Sequence, residues 1–190
     1  MAILGIRIIG DPVLRTRSEP VTEFGPELAK LVADMEETML DVDGAGLAAP
    51  QVGVNLRVFT FYVDGKVGHV VNPVLETGDE PQEGSEGCLS VPGLGFPTPR
   101  SKWARVSGQD KDGNPVVIEG EGLLARALQH ETDHLDGTLY INRLVGDERA
   151  AAMKAIRNAK YGQVAERTTS ERARTVGSSF GTGSSFGGTA

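Results

Sequence analysis

The sequence predicts an α+β domain: antiparallel or mixed β-sheets around a central helix with metal-binding character, followed by a C-terminal helix and a disordered tail. Three observations carry this expectation. Apolar residues recur at three- and four-residue spacing in a few well-separated stretches, the period of one-sided helices. Between the first two of these stretches lie short apolar runs punctuated by glycine and by Asp-Gly pairs, as in strands joined by hairpins. Strands gathered between separated helices, rather than alternating with them, point to α+β architecture and away from a doubly wound sheet.

Taken in order, Asp11-Pro12 reads as an N-cap followed by proline at the first helical position, opening a short turn through Val13 and Leu14. The first long helix is expected over 26–41, where Leu28, Leu31, Val32, Met35 and Met39 share one face. Residues 57–63, 68–75, 104–109 and 115–118 read as strands, with turns at Asp64-Gly65 and Asp112-Gly113. The acidic stretch 76–86 reads as a surface loop. A second helix is expected over 121–135, with Gly137 placed to end it. Residues 138–141 suggest another short strand, and Asp147 an N-cap for a third helix running to about residue 165. Residues 167–190 are rich in glycine and serine and cannot support a core. One domain over 1–166 and a disordered tail over 167–190 follow.

At 190 residues with 39% hydrophobic content, the chain can build one sizeable core. No apolar run approaches the roughly 18 residues of a membrane span. The apolar start is interrupted at Arg7, and no small-residue cleavage site follows. A cytoplasmic protein without membrane attachment is expected. Cys88 is the single cysteine, which excludes an intrachain disulfide and fits a reducing compartment. The net charge of −7 argues against a nucleic-acid-coating protein and against DNA as a partner. Residues 149–174 nevertheless hold seven basic and two acidic residues. Within this segment, the basic helix near residues 149–160 either contacts a polyanion or forms a solvated helix face.

The strongest chemical signal is His130-Glu131-Thr132-Asp133-His134. Histidines four apart lie on one helical face and can reach a single ion, with the intervening glutamate free to act on a water. Leu123, Ala127, His130 and His134 continue one stripe, so both histidines are expected to face the interior. Two core histidines with backbone partners are the alternative, but a shared cation meets the cost of burying both better. A catalytic site of this kind needs a third ligand and an open position. Zincin peptidases take theirs downstream, yet no histidine follows His134, and Glu148 and Glu166 sit in the charged C-terminal part. Cys88, in Glu86-Gly87-Cys88-Leu89-Ser90, is the better candidate, although a lone cysteine is more often a core residue. The glycines and small residues of Gly44 to Gln51 permit close approach by another chain; a tight helix-to-sheet connection is the alternative.

Together these segments resemble the peptide deformylase family. Its three ordered motifs, GxGLAAxQ, EGCxS and HExDH, stand here complete at Gly44 to Gln51, Glu86 to Ser90 and His130 to His134, and the resemblance covers about residues 3–165. It implies a catalytic domain that hydrolyses the formyl group from the N-terminal formyl-methionine of nascent polypeptides and releases formate. Cys88, His130 and His134 would hold one divalent metal ion, Fe(II) in the cell. Zn, Ni or Co would also suit one thiolate and two imidazoles in purified protein. Glu131 would serve as general base and then acid, and the Gln51 amide and Leu89 backbone N–H would stabilise the oxyanion. Ala45, Gly46 and Gly87 would flank an extended peptide, and Leu123, Arg126 and Ala127 would line the methionine pocket. Emergence of formylated chains from the ribosome makes ribosomal RNA the candidate polyanion for the basic C-terminal helix. The family also couples the positions of Glu86 and Arg100, so an ion pair is expected there rather than two ordinary surface charges.

Overall fold

The computed structural model describes residues 2–159. Its chain begins with an extended segment that leads into a 3-10 turn, Pro12–Arg15, capped by the Asp11 carboxylate, which accepts from Val13 N–H at 3.0 Å. Helix α1 follows at Pro26–Asp41. Strand β1 (Gly46–Ala48) and a 3-10 turn at Ala49–Val52 lead to β2 (Val58–Val63) and β3 (Lys66–Thr77). Four short strands come next: β4 (Pro81–Gln82), β5 (Ser85–Cys88), β6 (Val91–Pro97) and β7 (Arg100–Ser101). Strands β8 (Trp103–Gln109) and β9 (Pro115–Glu121) precede helix α2 (Gly122–Leu135). A 3-10 turn at Tyr140–Asn142 then leads to helix α3 (Gly146–Asn158).

The main sheet has the order β1-β2-β3-β8-β9, each neighbouring pair antiparallel. Two small sheets, β4-β7 and β5-β6, complete the described structure. Strand β2 explains how the helices are arranged. Successive side chains of a strand point to opposite faces, yet Val58, Phe59, Thr60 and Phe61 are all buried. Val58 packs in a core cluster with Leu28, Val32 and Met35 of α1, and the Thr60 hydroxyl lies 3.5 Å from Met39 Sδ. Phe59 and Phe61 pack instead with Ala125, Leu128 and Leu135 of α2. The sheet is therefore covered by α1 on one face and α2 on the other. Phe61 needs Gly68 opposite it, because a Cβ there would collide with the ring.

A third cluster joins Leu14, Val91, Tyr140, Ile141 and Leu144 to Ala152 of α3. It seats the β5-β6 hairpin and the turn after α2 against each other.

Most expected elements appear close to their bounds, including the Asp64-Gly65 turn, whose residues both have positive φ (50° and 75°). Gly137, at φ 71°, ends α2, and its N–H bonds to the His134 carbonyl at 3.1 Å. Three expectations fail. Residues 76–86 are not a loop: they contain the end of β3, β4 and the start of β5, and Glu86 is buried. Residues 138–141 form no strand. Leu139, Tyr140 and Ile141 are drawn into the third cluster, and Asn142 Oδ1 accepts from Leu139 N–H to tighten a 3-10 turn. Helix α3 is capped by Val145; Asp147 falls within its first turn, where a negative charge still favours the helix dipole. The expected extension of that helix beyond residue 159, and the expected tail over 167–190, lie outside the described residues.

Candidate metal centre and active site

Helix α2 supplies both histidines and Glu131 from consecutive turns of a face turned into the protein. His130 and His134 are buried, as expected, and Glu131 is buried with them. Their stripe does not run inward along its whole length, because Leu123, in the first turn, is 55% exposed at the rim of a cleft. The histidine ring nitrogens Nε2 lie 3.1 Å apart. Cys88 Sγ, at the end of β5, lies 3.3 Å from His134 Nε2. Among the described residues, Cys88, His130 and His134 form a group whose donor atoms all fall within 4.8 Å of one another and could hold a metal ion. The third donor of this group thus comes from upstream; Glu148 is not part of it, and Glu166 lies outside the described residues.

The arrangement suits a cation on its own chemistry. His130 Nδ1 is 2.5 Å from Glu86 Oε1. A carboxylate there requires the proton on Nδ1, so Nε2 is the nitrogen that faces His134. Burial holds His134 well below an ordinary imidazole, so it stays neutral and able to ligate. Burial also opposes charge on His130, but hydrogen bonds with Cys88 and Glu86 outweigh it and hold His130 well above its usual value. The cluster as a whole attracts positive charge. A divalent ion that displaces the His130 Nε2 proton would meet three converging donors, which a single shared proton cannot engage together.

Glu86 anchors this centre. Burial would raise its carboxyl, but bonds from Arg100 and His130 prevail and hold it at about 2. Arg100 grips it with two bonds, Nε to Oε2 at 3.0 Å and Nη2 to Oε1 at 2.7 Å. The expected Glu86–Arg100 pair is therefore present, and both members are buried. Arg126 adds a second guanidinium, its Nη1 donating to Glu86 Oε2 at 3.0 Å and to the Thr98 carbonyl at 3.1 Å.

A cleft of about 550 Å³ opens beside these groups. It is lined by Ala45, Gly46, Gln51, Gly87, Cys88, Leu89, Leu123, Arg126, Ala127, His130 and Glu131, so the expected residues other than His134 share one wall or another of it. Gln51 is buried, its Oε1 accepting from Ala48 N–H at 2.8 Å. That bond turns Nε2 toward Ser90 Oγ at 3.2 Å and Cys88 Sγ at 3.7 Å. The N-terminal segment braces both loops: Arg7 N–H donates to the Gln51 carbonyl at 2.6 Å and Ile9 N–H to the Ser90 carbonyl at 2.7 Å.

Glu131 lies across Gly46. A Cβ on Gly46 would collide with Glu131 Oε1, so glycine is the residue that leaves room for the carboxyl. Burial pushes Glu131 up to about 7, against the lowering effect of His130. Its Oε2 is buried without a hydrogen-bond partner among the described residues. An unpartnered carboxyl oxygen beside a cleft is free to engage a bound water or substrate.

Some participants escape pattern reading. Ser90 stands inside a motif, but nothing in its spacing signals the contact with Gln51. Asp133, also a motif residue, turns away from the cleft and bonds Arg100 Nη1 at 2.6 Å. Arg143, which grips Asp133 from the turn after α2, carries no local signal at all.

The comparisons agree with this geometry. Residues 3–150 match the family model described as polypeptide deformylase. The peptide deformylase of Acidothermus cellulolyticus is 57% identical over 161 residues, covering 85% of this chain and 89% of that protein. That of Mycolicibacterium paratuberculosis is 50% identical over 180 residues, covering 85% and 91%. The crystal structure of peptide deformylase from Thermus thermophilus superposes with a TM-score of 0.81 at 42% identity, covering 86% of this chain and 99% of that one. With its three motifs meeting on one cleft and its length shared with such relatives, the chain belongs to the peptide deformylase family, hydrolases that remove the formyl group from the N-formylmethionine of nascent peptides.

Proposed function

We propose that the cleft is the active site for deformylation of N-formylmethionyl nascent chains in the cytoplasm, with Cys88, His130 and His134 as the metal ligands. The observation that carries this reading is the convergence of the three donor atoms with Glu131 and Gln51 beside one cleft. A bound divalent ion supplies Lewis acidity, which polarises a carbonyl oxygen and lowers the pKa of water from roughly 15.7 to about 7. One thiolate and two imidazoles suit Zn, Co and Ni as well as Fe(II). Fe(II) is the proposed ion in the cell, and its sensitivity to oxygen beside a thiolate makes the others expected replacements in purified protein.

The remaining chemistry belongs to the chain. Glu131 takes a proton from the attacking water as the water oxygen bonds to the formyl carbon. It then passes a proton to the departing amine as the C–N bond breaks. Negative charge developing on the formyl oxygen meets donors from Gln51 Nε2 and Leu89 N–H, and one such donor is worth about 3 kcal/mol of barrier. Gln51 needs no reorganisation, since its amide is already oriented by Ala48. The peptide lies extended beside Ala45, Gly46 and Gly87. Strand β1 supports that pose, because it is an edge of the main sheet and an edge can accept an added strand. Leu123, Arg126 and Ala127 line the methionine pocket.

Formate release from a short formyl-methionyl peptide tests the reading, with protein purified without oxygen. Release is expected to stop on chelation and return with a divalent ion. A metal-loaded protein that releases no formate, or that cuts internal bonds of unformylated peptides, overturns it. Basic residues Arg149, Lys154 and Arg157 on α3 further support contact with ribosomal RNA. Neutralising Arg149, Lys154 and Arg157 together, all exposed on α3, is then expected to weaken co-sedimentation with ribosomes, and unchanged co-sedimentation sinks that contact.

A further inference from the structure

We infer that Arg143, which belongs to none of the three motifs, is a positioning residue for the metal ligand His130. It does so as the outer anchor of a relay of alternating charges. The inference rests on the proposed metal centre.

The relay can be followed atom by atom. Arg143 Nη2 donates to Asp133 Oδ1 at 2.5 Å and its Nε to Oδ2 at 3.1 Å. Arg100 Nη1 donates to the same Oδ2 at 2.6 Å, and the rest of the Arg100 fork holds both oxygens of Glu86. Glu86 Oε1 meets His130 Nδ1 at 2.5 Å. Asp133, Arg100 and Glu86 are thus each held by at least two bonds, in the planar fork geometry that fixes direction as well as distance.

Arg143 is where this relay reaches solvent. The side chains of Asp133, Arg100 and Glu86 are 4–7% exposed, whereas that of Arg143 is 52% exposed. Arg143 and Arg100 both line a second cavity beside α2, separate from the substrate cleft. Without Arg143, the Asp133 carboxylate keeps, among the described residues, only the single bond from Arg100. Arg100 then has freedom to follow Asp133 instead of clamping Glu86. Loosening of Glu86 frees the His130 ring to turn about its side-chain bonds, and a ligand ring that turns no longer presents Nε2 to the ion. Direct partners of metal-ligating histidines typically tune metal affinity by about 10- to 100-fold. Arg143 acts further out along the chain of contacts, so a smaller change is expected.

The test uses the full-length chain loaded with Co(II), followed both by its absorption bands, which report donor geometry, and by Co(II) release into excess chelator. Arg143→Ala is expected to shift the bands and to speed release by about 3- to 10-fold. Arg143→Lys, which keeps the charge and one bond, is expected to recover most of the wild-type rate. Val32→Ala serves as the control, since it opens a cavity under α1 on the far face of the sheet. It is expected to lower the melting temperature without changing release. An unchanged release rate and spectrum in Arg143→Ala overturn the inference alone. Faster release in Val32→Ala, in proportion to its lost stability, overturns it as well, because the effect would then be general loosening. A wild-type protein that takes up no Co(II) overturns the metal centre itself, and the relay role with it. If Arg143→Ala does not fold, Arg143→Gln, with one donor on a similar stem, carries the same comparison.

Discussion

Replacing Glu131 with alanine is expected to lower formate release by about 10²- to 10⁴-fold, the usual contribution of a positioned general acid–base group, while metal content stays at the wild-type level. The carboxyl is not among the three converging donors, so its removal takes away no ligand. What it removes is a carboxyl oxygen that stands buried beside the cleft without a partner among the described residues. Burial brings this group to about 7, and a carboxyl balanced near neutrality can accept a proton from water and return it to an amine within one turnover. The structure also gives the variant a clean interpretation. Glu131 lies over Gly46, so its truncation to alanine opens space for water above that glycine. Formate assay and metal analysis of the same preparation check the outcome. Activity within about threefold of wild type, with full metal, would assign the proton transfers elsewhere.

Arg100→Ala is expected to have the largest effect on stability. Arg100 is shared by Glu86 and Asp133, and all three side chains are buried. Its removal leaves two carboxylates in low dielectric, with Arg126 as the remaining guanidinium partner of Glu86 and Arg143 as that of Asp133. Breaking a buried pair from one side typically costs about 3–5 kcal/mol. For a chain of this size, that corresponds to a fall in melting temperature of roughly 6–20 °C. Metal affinity is expected to fall by about 10- to 100-fold, because Glu86 would no longer hold His130 Nδ1 in place. Thermal unfolding of the apo and metal-loaded variant separates the two effects. Unchanged melting and unchanged metal retention together would reduce the pair to a surface contact.

Both predictions depend on residues that differ greatly in how visible they are in the sequence. Glu131 is conspicuous because it stands in sequence between two histidines that helical periodicity puts on one face, and that relation survives into α2 unchanged. Arg100 could be paired with Glu86 only through the resemblance to a family. By composition, the segment around Glu86 is acidic and polar, which reads as a loop in water. Its burial depends on Arg100, Arg126 and His130, which lie 14, 40 and 44 residues further along the chain. Arg143 and Asp133 extend the same lesson. Their bonds join the turn after α2 to the helix itself, and no spacing rule encodes that contact.

Local sequence was enough to specify the long helices, the Asp-Gly turns, the glycine that ends α2 and the identity of the chemical groups. These follow from forces acting within a few residues: helical period, capping and the freedom of glycine at positive φ. Long-range packing alone settled the short strands β4 to β7, the burial of Glu86, the exposure of Leu123 and the 3-10 turn at Tyr140–Asn142. Each of these depends on a partner distant in sequence. A two-residue strand exists only when its neighbour arrives, and a charge can be buried only when the opposite charge is already waiting there.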